Sequence, residues 1–108
     1  MAHTPTILGW IKKYSIKSIL NAPGGSRAEE APFKEAGATT VLSIDIGGGS
    51  TITEDLCFWK PTEPYDALYI NCVFCTSNAS PTGNHSVLAK NYASWPVKYL
   101  LIYDTKGF

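Results

Sequence analysis

The chain has 108 residues, 44% of them hydrophobic, and its nine basic and nine acidic side chains give a formal charge of zero. A chain of this length holds one α/β core near the lower limit for a self-sufficient fold, so residues 1–108 read as a single domain. Balanced charge supplies no bulk field toward nucleic acid or a membrane, any such binding would need a local patch, and no apolar run approaches the roughly 18 residues that span a bilayer.

At the N-terminus, Ile7, Leu8, Trp10, Ile11 and Tyr14 fall at helical spacing with Thr6 placed to cap them, which predicts a short helix suited to a lid or platform. Ile16 to Asn21 predicts a first buried strand that stops at Pro23 and Gly24. Arg27 to Ala36 predicts a helix with Ala28, Ala31, Phe33 and Ala36 inward, Glu29, Glu30 and Glu35 outward, and Gly37 as its stop. Pro32 removes a hydrogen bond within that span and crowds the preceding turn, so it kinks the helix or holds it to about two turns. Thr39 to Ile46 is a β-branched run of the kind buried on both faces of a parallel sheet, broken by Gly47-Gly48-Gly49-Ser50. The stretch after these glycines is too short for an ordinary crossover helix, so a third strand around Ile52 must be reached by a compressed connection. Tyr65 to Val73 predicts a fourth strand, Ser86 to Trp95 a helix with Val87, Leu88, Tyr92 and Trp95 apolar, and Val97 to Tyr103 a fifth strand. The order β-α-β-β-β-α-β with continuous apolar strands argues for a parallel sheet.

Two stretches carry the functional signal. Ser18 to Ser26 is an apolar run that ends in Gly24-Gly25 and leads into a helix, and Val41 to Asp45 is a second run capped by a carboxylate. In a βαβ unit, such a turn lets the backbone approach a ligand closely, and an acidic group at the tip of the second strand accepts hydrogen bonds from both ribose hydroxyls. A nucleoside cofactor is therefore expected, with Asp45 on its ribose. The plain alternatives are a sharp turn at the glycines, a solvated helix start at Arg27 in place of a contact with carboxylate or phosphate, and Asp55 as the side-chain cap of a turn.

These residues resemble the class I S-adenosylmethionine-dependent methyltransferases over nearly the whole chain, through motifs none of which is a signature alone. Ile19-Leu20-Asn21-Ala22-Pro23-Gly24-Gly25 is similar to that family's first motif, and Ala-Pro-Gly-Gly to the form found in several RNA methyltransferases. The resemblance implies that Asn21, Ala22, Pro23, Gly24, Gly25 and Asp45 bind S-adenosylmethionine. It implies that Asp55, from Glu54-Asp55-Leu56, meets the adenine amino group with Leu56 packed nearby. Pro64 to Asn71 is similar to the fourth strand, which delivers the catalytic residue at its end. Asn71 would accept from an exocyclic amine and Phe74 would stack on a flipped base, with a buried strand end and a core Phe74 as the alternative. The chain also departs from the family. Asn21 stands where many members have Asp, Asn71-Cys72-Val73-Phe74 lacks the two prolines of the amino-group enzymes, and the antiparallel hairpin after the fifth strand has no counterpart.

The three cysteines supply competing chemistries. Cys72-Val73-Phe74-Cys75 has the spacing of a thiol redox pair, but Thr76 to Asn84 reads as an irregular loop with no helix to lower a thiol pKa. Cys57, Cys72, Cys75 and His85 are enough ligands for zinc, at irregular spacing, and buried inert thiols are the expected use. Asn78-Ala79-Ser80 matches a glycosylation acceptor and reads as coincidence, since Met1 to Pro5 shows no basic region leading into an apolar leader. An odd cysteine count and no leader point to the cytoplasm.

The expected architecture is a minimal Rossmann-like α/β domain, a mostly parallel sheet of order 3-2-1-4-5 with helices on both faces and its crevice at the ends of strands one and four. The expected function is S-adenosylmethionine binding in service of methyl transfer to an amine or nucleic-acid acceptor. The alternative is a non-catalytic module of the same fold that sequesters cofactor or docks on a partner enzyme. The apolar fifth strand predicts a homo-oligomer or a partner protein at that sheet edge.

Overall fold

In the computed structural model, the described residues are 4–24, 27–47, 49–71 and 85–103, and the side chains of Thr4, Pro5, Asn71, His85 and Tyr103 lie outside the description. The elements run α1 (Thr4–Lys13), β1 (Ser18–Asn21), α2 (Glu30–Glu35), β2 (Thr40–Ser43), β3 (Tyr65–Asn71), α3 (His85–Ala93) and β4 (Val97–Tyr103). The strands form one four-stranded sheet of order β2-β1-β3-β4. Every pairing in it is parallel. The register sets Ile19 against Val41 on one side and Ala67 on the other, and Asn71 against Tyr103 at the far end.

Strand alternation divides the core between the two faces of the sheet. On one face Ile19, Val41, Ala67, Tyr69 and Leu101 pack with Ile7 and Ile11 of α1 and Phe33 of α2. The Phe33 and Tyr69 rings meet edge to face at 5.0 Å, a geometry worth about 0.5–1.5 kcal/mol beyond the area it buries. On the other face Leu20, Leu68 and Ile70 pack with Leu88 and Tyr92 of α3, with Trp95, and with Leu56 from the connection after β2. Helices therefore cover both faces, and no described helix is long and apolar enough to cross a membrane.

Several boundaries differ from the sequence expectation. The helix expected over 27–36 is only Glu30–Glu35, because residues 27–29 form a turn in which Arg27 has φ 69°. Pro32 is tolerated there because it sits in the first turn, where an N–H would lack an intrahelical acceptor. Gly37 ends the helix at φ 124°, a conformation that suits glycine. Thr6 lies inside α1, which begins at Thr4, so it is not the cap. The third expected strand is a single parallel bridge, Ile44 to Ile52, on the outer side of β2. The compressed Gly47 to Thr51 connection explains this, since it returns the chain beside β2 without length for a ladder.

At the opposite edge, β4 has the bounds expected of the fifth strand. Leu101 is buried on the α1 face, where Tyr14 stacks on Tyr99 at 5.4 Å, but on the other face Leu100 is 54% and Ile102 37% exposed.

Candidate nucleoside crevice

β1 ends at Asn21, and the chain turns through Ala22, a cis Pro23 and Gly24 across the carboxyl ends of its two neighbours. The Ala22 N–H donates to the Tyr69 carbonyl of β3 at 3.3 Å, and the Gly24 N–H donates to the Ile44 carbonyl beyond β2 at 2.9 Å. The turn is thus strapped to the strands on both sides of β1. From α3, the Tyr92 hydroxyl donates to the Ala22 carbonyl at 2.5 Å. Burial, the Cys57 thiol and the Asp45 carboxylate together push the Tyr92 phenol well above its ordinary range, so it serves as a proton-bearing donor.

Gly24 is required by close packing inside the chain. A Cβ there would lie 2.6 Å from both Ser43 Cβ and Ser50 Oγ. The space beneath this glycine is filled by the protein itself, and Ala22 is fully buried, which leaves the half-buried Pro23 as the part of the turn that reaches the surface among its described residues.

The polar groups beneath the turn form a short relay. Asn21 Nδ2 donates to Ser43 Oγ at 3.1 Å, and Ser43 Oγ donates to Glu30 Oε2 at 2.6 Å. Asn21 is fully buried, and its Oδ1 has no hydrogen-bond partner among the described residues. Asp45 stands half-buried just beyond β2, where its Oδ1 accepts from the Gly47 N–H at 2.9 Å. Its backbone is pinned as well, since its N–H donates to the Ile52 carbonyl at 3.0 Å.

Asp55 lies farther along the connection. Its Oδ1 accepts from the Cys57 N–H at 2.9 Å, the capping geometry of a side-chain turn. Leu56 is fully buried in the α3-side core. Asn21, Ala22, Pro23, Gly24 and Asp45 are therefore gathered at adjoining strand ends, whereas Asp55 and Leu56 belong to a separate turn packed on α3. Gly25, Phe74, Cys72 and Cys75 lie outside the described residues. So do the side chains of Asn71, whose backbone ends β3, and His85. Cys57 is buried and in no disulfide, and no group of three or more metal-ligating side chains occurs among the described residues.

Ser43, Glu30 and Tyr92 are the site residues that sequence reasoning missed. Ser43 is a small hydroxyl within the apolar Val41 to Ile44 run and carries a weak signal of its own, but Tyr92 reads as an ordinary apolar helix position. No protein-family model, no curated protein and no solved structure matches the chain.

Proposed function

We propose that the chain binds S-adenosylmethionine in the crevice between β1 and β3 and serves methyl transfer. One observation carries this reading. The all-parallel order β2-β1-β3-β4 reverses direction between β1 and β3, and the Ala22 to Gly24 turn and Asp45 stand at the carboxyl ends on that side, where open α/β sheets take nucleosides. The Ile44 to Ile52 bridge lies beside β2, on the side where the order 3-2-1-4-5 would put a third strand.

The polar set suits such a ligand. Asp45, aimed by its bond from Gly47, would accept from the ribose hydroxyls, and Asn21 Oδ1 is a buried acceptor at the same strand end. When bound, S-adenosylmethionine supplies an electrophilic methyl group on sulfonium. Tyr92 holds the crevice turn in place through the Ala22 carbonyl, and Asn71, at the end of β3, would orient an amine acceptor. Positioning of this kind supplies most of the rate in a transfer that needs no strong general base.

A second reading is favoured by the reduction of the third strand to one bridge and by the exposed Leu100 and Ile102 at the other edge. It is a module that holds the cofactor and docks on a partner without catalysing transfer.

Calorimetric titration with S-adenosylmethionine, S-adenosylhomocysteine and NAD tests the first reading. Saturable binding of the first two is expected, and Asp45→Ala should weaken it about ten- to hundredfold, the equivalent of roughly 1.5–3 kcal/mol for a hydrogen bond to a charged group. Tighter binding of NAD, or unchanged affinity in the variant, refutes the assignment. Binding without transfer to any amine or nucleic-acid acceptor favours the second reading.

A further inference from the structure

A second surface stands apart from the crevice. Phe58 is 74% exposed, the most exposed of the large apolar side chains among the described residues. It lines a shallow depression of about 380 Å³ with Lys60 from the same connection, Val87, Lys90 and Asn91 from α3, and Ser94 just past that helix. Among the described residues no carboxylate lines this depression, and the ammonium groups of Lys60 and Lys90 give it a positive charge that the neutral chain lacks overall.

The ring is displayed on a turn built to stay in place. Asp55 Oδ1 caps the Cys57 N–H at 2.9 Å, and the Phe58 and Trp59 N–H groups both donate to the Asp55 carbonyl at 3.0 Å. From α3, Asn91 Nδ2 donates to the Leu56 and Trp59 carbonyls at 2.7 Å each, gripping the turn on either side of Phe58. Leu56 and Cys57 face the core while Phe58 points to water. A flexible loop can expose an aromatic by chance of motion, but here a cross-braced turn holds a flat apolar face in solvent beside two cations.

We propose that this surface binds single-stranded nucleic acid, with a base stacked on Phe58 and flanking phosphates on Lys60 and Lys90. Stacking on an aromatic ring with lysine neutralisation of the backbone is the general mode of sequence-tolerant single-strand binding. An acidic peptide would use the lysines and leave the exposed ring unexplained. A membrane surface would call for a broader apolar face than one ring and Val87 present. The proposal does not depend on cofactor binding.

The test is fluorescence anisotropy of a labelled twelve-nucleotide oligouridine titrated with the full chain at several salt concentrations. Binding is expected with a log–log salt slope of about −1.4, the value for two phosphates on a single strand. Phe58→Ala should weaken it about tenfold or more, Phe58→Tyr should retain it, and Lys60→Gln with Lys90→Gln should flatten the salt slope. Because Phe58 is exposed, the thermal midpoint should be unchanged in Phe58→Ala, which separates lost binding from lost folding. Absence of binding at low salt overturns the proposal, as does equal affinity in Phe58→Ala. Binding of polyglutamate or of phosphatidylserine vesicles through Lys60 and Lys90, with no affinity for the oligonucleotide, overturns it in favour of those partners.

Discussion

Replacing Tyr92 by Phe tests whether α3 anchors the crevice turn. The substitution keeps the ring, and with it the edge-to-face contact with Trp95 at 4.9 Å, but deletes the hydroxyl that donates to the Ala22 carbonyl at 2.5 Å. Ala22 is fully buried, so water does not replace that donor. The cost is that of a buried acceptor losing its partner, about 1–3 kcal/mol. For a domain of this size that lowers the melting midpoint by roughly 5–20 °C. Urea denaturation followed by circular dichroism measures it, and a loss below about 0.5 kcal/mol, the range of ordinary surface changes, refutes the assigned bond. The same variant alters the pH dependence of stability. The folded phenol titrates above its ordinary value of 10.0, so between the unfolded and folded pKa values the folded state holds more protons. The stability it contributes is complete below pH 10 and declines above it, by about 1.4 kcal/mol per pH unit for one proton. The advantage of the native chain over Tyr92→Phe should therefore shrink in alkaline solution, and a constant difference across that range contradicts the burial argument.

Gly24→Ala should destabilise the fold by about 1–3 kcal/mol through overpacking against Ser43 and Ser50. Gly9→Ala, in α1 with nothing within 4 Å of the new Cβ, should stabilise it by about 0.5–1 kcal/mol. Equal effects in the two variants, read by urea denaturation, would contradict the packing described for the turn. At the sheet edge, light scattering at micromolar concentration should report a mass above the 11.7 kDa of one chain, and Leu100→Lys should return it to monomer. A concentrated monomer of the native chain refutes that expectation.

How much of the fold and site is legible in the sequence depends on where each determinant lies in the chain. β4 has its expected bounds because Val97 to Tyr103 is a long uninterrupted run, and β1 ends at Asn21 because Pro23 and Gly24 come directly after it. The third strand fails because Ile52 stands alone among Thr51, Thr53 and Glu54, and one apolar residue supports a bridge rather than a ladder. Pro32 signals a short helix, and α2 is six residues long. The gathering of Asn21 and Asp45 can be read from strand ends alone. The relay to Glu30 cannot, because a hydroxyl in a strand carries no sign of the helix it will face. Tyr92 is less legible still, since its partner is a backbone carbonyl 70 residues earlier in the chain. Phe58 carries no sequence signal of its role, because nothing in Leu56-Cys57-Phe58 tells which of these neighbours faces water.

Consecutive residues of α3 hold both candidate sites. Tyr92 reaches the crevice turn at Ala22, and Asn91 reaches the Phe58 turn at Leu56 and Trp59. Neighbouring positions on a helix point about 100° apart, so one short helix can brace two turns that come from different connections. The placement of α3 depends in turn on Leu88, fully buried against the sheet, and on Trp95, packed edge to face on both Tyr92 and Trp59. A cavity at Leu88 therefore loosens both braces together, whereas loss of the Tyr92 hydroxyl releases only the crevice turn and loss of the Asn91 amide only the Phe58 turn.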